Sequence, residues 1–235
     1  MTARHYEFQP ETIRVPGKPL GRVRLVNWSE VAHHLPVRIT ERETRWWAPN
    51  TTAPLDQQDL GACTGFAVGG TASTEPYGWA LTAEDCRALY HRATQIDAFP
   101  GEWPPTDTGS TGLSAFEAAV EAGYFTGCAM AGGPGALTAV VEALQTRPGA
   151  LGLSWYDGMD EPAPDGQIRP TGRIRGGHEV EVLAVDMTLR RVYIRNSWGE
   201  WGLVVGGRSG YAWLSFDDLS ALLESDGDAT FPEAP

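Results

Sequence analysis

Long apolar runs are missing from this chain of 235 residues. Its most apolar stretch, Gly127 to Leu144, is broken by Gly132, Gly133, Pro134 and Gly135, so it falls short of the ~20 residues that a membrane helix needs. No membrane partner is expected. Met1 to Pro10 holds charged and polar side chains where a secretory leader would carry an apolar core, and a cytoplasmic location is expected. Basic residues are also scarce: 18 against 30 acidic ones, a formal net charge of −12. That balance repels phosphate backbones and anionic headgroups, which excludes nucleic acid as a partner. Cysteines number three, Cys63, Cys86 and Cys128. An odd, widely spaced set leaves at least one thiol free and forms neither a disulfide framework nor a metal knuckle. No metal and no cofactor are expected. There is no internal repeat and no low-complexity tract, and nothing bears on oligomeric state.

Proline and glycine punctuate what is present. Residues 1–45 read as an N-terminal extension, either a pro-segment or an integral part of the fold, with a strand-like piece at Gly21 to Val26. Trp46 and Trp47 are expected in core or interlobe packing. The small residues of Thr64 to Thr74 predict a short, closely packed helix that places Cys63 at its N-terminus. Thr82 with Asp85 forms a capping box ahead of Cys86, Leu89 and Tyr90 at helical spacing. A third helix is predicted from Ser114 to Ala122, stopped by Gly123, and a fourth puts Leu137, Val140, Val141 and Leu144 on one face before Pro148. Strands follow. Leu151 to Trp155 is one, and after an aperiodic loop from Asp157 to Gly177, His178 to Ala184 alternates as a second. A turn at Asp186 to Arg190 leads back along Val192 to Arg195, then come the strand Tyr211 to Leu214 and an amphipathic helix over Phe216 to Leu223. Helices first and strands second indicate an α+β chain with two segregated lobes, helical over about 55–149 and β-rich over about 150–235.

Cys63 stands apart from the other cysteines, which read as buried inert thiols. Polar residues and Gly61 precede it and a helix follows it. The positive end of the helix dipole favours thiolate, so a lowered thiol pKa is expected there. A thiolate needs a cationic partner and a proton donor, and His178, after Gly176 and Gly177, is the best placed of five histidines. Asn196 follows on the paired strand, where its amide can fix the tautomer and orientation of the His178 ring. Trp198 can shield that bond from water.

Gln57, six residues before Cys63, the Gly-Gly-His178 strand and the run Asn196-Ser197-Trp198-Gly199 together resemble the papain-like cysteine peptidases, over about Trp46 to Leu223. The resemblance implies a two-lobed fold with a cleft between a helical and a barrel-like lobe. It implies a thiol endopeptidase that acts on protein or peptide substrates through a Cys63 acyl-enzyme, with His178 as general acid and base and Asn196 as orienter. The side-chain amide of Gln57 and the Cys63 backbone N–H would form the oxyanion hole. Gly109 and Ser110 match the segment that pairs with substrate backbone. Glu179 matches a residue lining a substrate side-chain pocket, usually small and neutral, so a basic preference is expected, with Glu181 on the same strand face. The competing expectation is that Glu179 pairs with Arg173 or Arg175. The departures are Thr64 where the family has tryptophan, Leu60 where it has cysteine, and an inserted Leu203 to Ser209. They fit a bacterial or phage-associated branch. Two other functions suit the same residues: an amidase or transferase acting on cell-wall or other peptides, and a non-catalytic binding or scaffold protein that kept the fold.

Overall fold

Small side chains let the first helix disappear into the interior. In the computed structural model, which describes residues 19–24, 42–51 and 55–233, α1 (Cys63–Ala72) is buried along its whole length. It packs on α2 (Ala83–Ile96) and α3 (Gly112–Glu121). The predicted capping box is present: Asp85 N–H donates to Thr82 Oγ1, and Thr82 N–H donates to the Asp85 carboxylate at 2.8 Å. Thr111 caps α3, which begins two residues earlier than expected, and Gly123, at φ +80°, follows its end. Val68, Leu89, Ala93, Phe116 and Phe125 form the core of this lobe.

The other lobe is one antiparallel sheet. Its strands are β2 (Cys128–Gly132), β3 (Gly149–Tyr156), β4 (Ile174–Asp186), β5 (Arg191–Arg195), β6 (Leu203–Val205), β7 (Arg208–Ser215) and β8 (Asp228–Pro232), in the order β2-β8-β3-β4-β5-β7-β6, with the short β1 (Arg45–Trp46) paired to β4. Helices α4 (Ala136–Ala143) and α5 (Phe216–Ser225) bury Val140, Leu219, Leu222 and Leu223 in the same core as Leu151, Val180, Val182 and Ile194. Each such side chain contributes about 1.5–3 kcal/mol. Thus α4, expected with the helical half, belongs to the sheet.

Several expectations need correction. The loop before His178 ends early: after a 3-10 turn at Asp157–Met159, Ile174 already pairs with Tyr156, so Gly176 and Gly177 lie inside β4. The apparent insertion Leu203 to Ser209 is a hairpin, turning at Gly206 and Gly207 with positive φ, the backbone that a two-residue turn demands. Trp46 is not in a core: 42% exposed, it lies against Tyr193 and Tyr211, while half-buried Trp47 donates to the Leu144 carbonyl at 2.9 Å. Of the strand-like Gly21 to Val26, residues 25 and 26 lie outside the described residues.

Candidate active site

Both faces of β4 are buried, and this is what assembles the site. One face carries Val180 and Val182 into the sheet core; the other turns Glu179 and Glu181 towards the helical lobe. His178 pairs with Leu153 across β3, and Asn196 leaves β5 immediately after Arg195. The His178 Nε2 lies 2.8 Å from Asn196 Oδ1, which also accepts the Ser197 backbone N–H at 2.8 Å. The bond fixes Nε2 as its donor, leaving Nδ1 without a hydrogen-bond partner. Trp198 stacks on the imidazole, ring centroids 4.7 Å apart, and Trp155 meets it edge-on at 4.8 Å. Trp198 was anticipated as a shield. Trp155 was read only as part of a strand, with nothing in the local sequence to aim it at His178.

Cys63 is the first residue of α1, after Ala62 at the cap. Its sulfur faces the backbone N–H groups of Glu179 and Gly21, so the thiol lies against the residue that follows His178. Gln57 is fully buried. Its Oε1 accepts from Ser197 Oγ and its Nε2 donates to the Leu60 carbonyl at 2.8 Å, with the Pro19 carbonyl at 3.5 Å. Ser197, given no role of its own in the sequence, ties Gln57 of one lobe to Asn196 of the other. Hydrogen bonds thus link Gln57, Ser197, Asn196 and His178 across the two lobes, with Cys63 beside Glu179.

Another element converges with them. Residues 19–24 run as an extended segment across the site. Gly21 C=O accepts from Ser110 N–H at 2.9 Å, Val23 N–H donates to Ser110 C=O at 2.7 Å, and Arg22 N–H donates to Gly177 C=O at 3.2 Å. Trp198 Nε1 donates to the Pro19 carbonyl at 3.2 Å, and Leu20 is buried in the core of the sheet lobe. Ser110, matched to a substrate-pairing position, here pairs with this chain's own backbone. Gly109 stands beside it at φ +71°, its N–H donating to Tyr90 Oη at 2.9 Å. Gly21 must be glycine: a Cβ there would lie 1.7 Å from the Gly61 carbonyl oxygen.

The covered site reverses one expectation. Burial pushes the Cys63 thiol up to about 12, and the Glu179 carboxylate adds to the rise while the N–H groups of Glu179 and Gly21 oppose it. Burial takes His178 down to about 3 against the pull of the Asn196 bond, with Arg175 adding to the fall. The thiol and the imidazole are both neutral, so the lowered thiol pKa is not found with the segment in place. A raised pKa keeps the proton on sulfur until high pH, leaving about one thiolate in 10⁵ at pH 7. Alkylation of Cys63 by iodoacetamide is therefore expected to rise steadily beyond pH 9. A plateau below pH 7, by mass spectrometry of the modified peptide, would show that the segment does not hold the thiol neutral. Cys86 and Cys128, free thiols too, are raised to about 12 chiefly by burial.

Glu179 does not pair with Arg173 or Arg175, which instead meet Asp157 and Asp160. It faces Arg22. Glu181 does not join it: its carboxylate accepts from Arg195 Nε at 2.7 Å and from Thr74 Oγ1 at 2.6 Å. Among the described residues no cluster of side chains could hold a metal ion, and no helix is long and apolar enough to cross a membrane.

No family model and no curated protein matches the chain. Solved structures do. Xylellain, a cysteine protease from Xylella fastidiosa, is similar over 99% of both chains at 14% identity and a TM-score of 0.61. Procathepsin B from Trypanosoma congolense is similar over 92% of this chain and 86% of its own, at 12% identity and a TM-score of 0.60. The bromelain protease of Ananas comosus, solved with the inhibitor E64, is similar over 79% of this chain and 95% of its own, at 17% identity and a TM-score of 0.57. At these identities the likeness is one of fold.

Proposed function

We propose that this chain, which has the two-lobed α+β fold of papain-like cysteine proteases, is itself a thiol endopeptidase with Cys63 as nucleophile. The observation that carries the reading is the His178–Asn196 bond, held between two indoles, beside a cysteine that opens a buried helix. Once substrate displaces the segment, Cys63 passes its proton to His178 and the sulfur attacks the peptide carbonyl carbon. The amine leaves with the proton from His178, giving the acyl-enzyme. Water then gives a proton to His178 and attacks the thioester, releasing the acid and restoring the thiol. Asn196 keeps the ring oriented throughout.

Gln57 is the proposed oxyanion donor with the Cys63 backbone N–H. Support comes from its amide: one N–H is engaged by Leu60, while the Nε2 lies 3.5 Å from a carbonyl oxygen of the covering segment, the kind of group it would receive in a substrate. Gln57→Ala is expected to lower kcat by about 10²–10³-fold. Unchanged turnover would place the oxyanion elsewhere.

The deciding experiment is labelling with an epoxysuccinyl reagent followed by peptide mapping, alongside hydrolysis of a mixed peptide library. Modification at Cys63 with hydrolysis supports a peptidase. Modification without hydrolysis would favour a transferase or amidase, and no reaction at Cys63 even in Arg22→Ala, where the covering segment has lost its side-chain anchor, the non-catalytic scaffold.

A further inference from the structure

The Arg22 guanidinium, 1% exposed, fills a pocket floored by two buried carboxylates. Its Nη2 bonds Asp228 and also donates to the Asp226 carbonyl at 3.3 Å, while Nε lies 3.8 Å from Glu179 Oε2. Neither Glu179 oxygen has a hydrogen-bond partner, nor has Asp228 Oδ1. Such groups are costly to bury unless a cation is present. The cavity exists because residue 152 is glycine: a Cβ there would fall 2.4 Å from Arg22 Nε and 2.8 Å from both carboxylates. The pocket adjoins the site, since Glu179 follows His178 and the Arg22 N–H bonds the carbonyl of Gly177, which precedes it.

We infer that the Glu179–Asp228 pocket is the recognition pocket for an arginine or lysine side chain of the substrate, and that Arg22 occupies it as a substitute carried by the chain itself. The inference rests on the peptidase reading for the word substrate. Three features of the geometry separate a recognition pocket from a mere anchor. The occupant is an extended backbone bonded on both sides, to Ser110 and to Gly177, as a bound peptide would be. The segment passes over the nucleophile, with the Gly21 N–H facing the Cys63 sulfur. And the pocket holds two carboxyl groups for one guanidinium, so emptying it leaves both buried with no cation beside them. Burial, with Asp228 beside it, already raises the Glu179 carboxyl well above its usual range, and burial raises Asp228 as well. A basic side chain supplies that cation; an apolar one leaves both carboxyl groups buried and unpaired.

The test is equilibrium binding to full-length Arg22→Ala protein, using a blocked, labelled hexapeptide with the sequence of residues 19–24 and its counterpart with leucine at the fourth position. The arginine peptide is expected to bind at least tenfold tighter, a difference of about 1.4 kcal/mol. Adding Glu179→Gln is expected to reduce that ratio to threefold or less. Equal binding of the two peptides, or a ratio that Glu179→Gln leaves unchanged, overturns the inference. If Arg22→Ala does not fold, Gly21→Ala carries the same measurement, because its methyl group collides with the Gly61 carbonyl and unseats the segment while leaving the pocket intact. Binding does not depend on turnover. Arginine-selective binding by a protein that hydrolyses nothing would sink the peptidase reading alone; hydrolysis without arginine selectivity would sink this one alone.

Discussion

Cys63→Ala is expected to abolish peptide hydrolysis, with a loss of 10⁴-fold or more, since removing the nucleophile of a catalytic set costs up to ~10⁶ in kcat. The measurement is best made both in the native chain and with Arg22→Ala, where the covering segment has lost its side-chain anchor. Only one sulfur atom is removed, so the unfolding free energy is expected to change by no more than about 1–2 kcal/mol. Cys86→Ala is the control. That thiol is fully buried against α1, with its Sγ 2.3 Å from where a Cβ on Gly69 would lie, so it fills space between two helices. Its loss is expected to lower stability and spare turnover. Hydrolysis that survives Cys63→Ala and fails with Cys86→Ala would reverse the assignment.

Arg195→Ala is expected to be the most destabilising single change at the lobe interface. Arg195 and Glu181 are both buried, bonded at 2.7 Å, and Thr74, just beyond α1, donates to the same carboxylate. Removing the guanidinium leaves a carboxylate without a counter-charge, at a cost of about 3–5 kcal/mol. At about 2–4 °C per kcal/mol for a chain of this size, the melting temperature is expected to fall by roughly 6–20 °C. Replacing both partners, Arg195→Met with Glu181→Leu, is expected to recover most of the loss, because the cost lies in the unpaired charge more than in the pair. Urea unfolding of the three proteins checks this. A double variant as unstable as Arg195→Ala would mean that packing, not charge, dominates.

The sequence made α2 and the β4–β5 hairpin legible through local chemistry. Thr82 and Asp85 satisfy each other's backbone within one turn, and Asp186 accepts the N–H groups of Thr188 and Leu189 to close the hairpin. Gln57, Cys63, His178 and Asn196 were legible as a set because their order and neighbours are distinctive. Strand β2 was missed because Cys-Ala-Met-Ala-Gly holds no β-branched residue and forms only by pairing with β8, a hundred residues on. Missing β8 hid Asp228, and with it the second wall of the acidic pocket. The Arg22–Asp228 contact joins residues 206 apart, a separation over which no periodicity speaks. The neutral Cys63 and His178 had the same origin: the helix N-terminus is local, whereas the desolvation comes from burial by parts of the chain distant in sequence.

Because residues 19–24 belong to the chain they cover, their hold on the cleft is a unimolecular equilibrium, indifferent to how much protein is present. A short tether keeps such a group at an effective concentration in the millimolar range. A competing peptide must overcome that local excess as well as the contacts themselves. Severing the backbone between Arg24 and Arg42 would turn that hold into a bimolecular equilibrium. At ~1 μM protein the released piece would be about 10³-fold more dilute than when tethered, a loss of about 4 kcal/mol of occupancy. Dilution is then expected to open the cut protein and to leave the intact chain as it was.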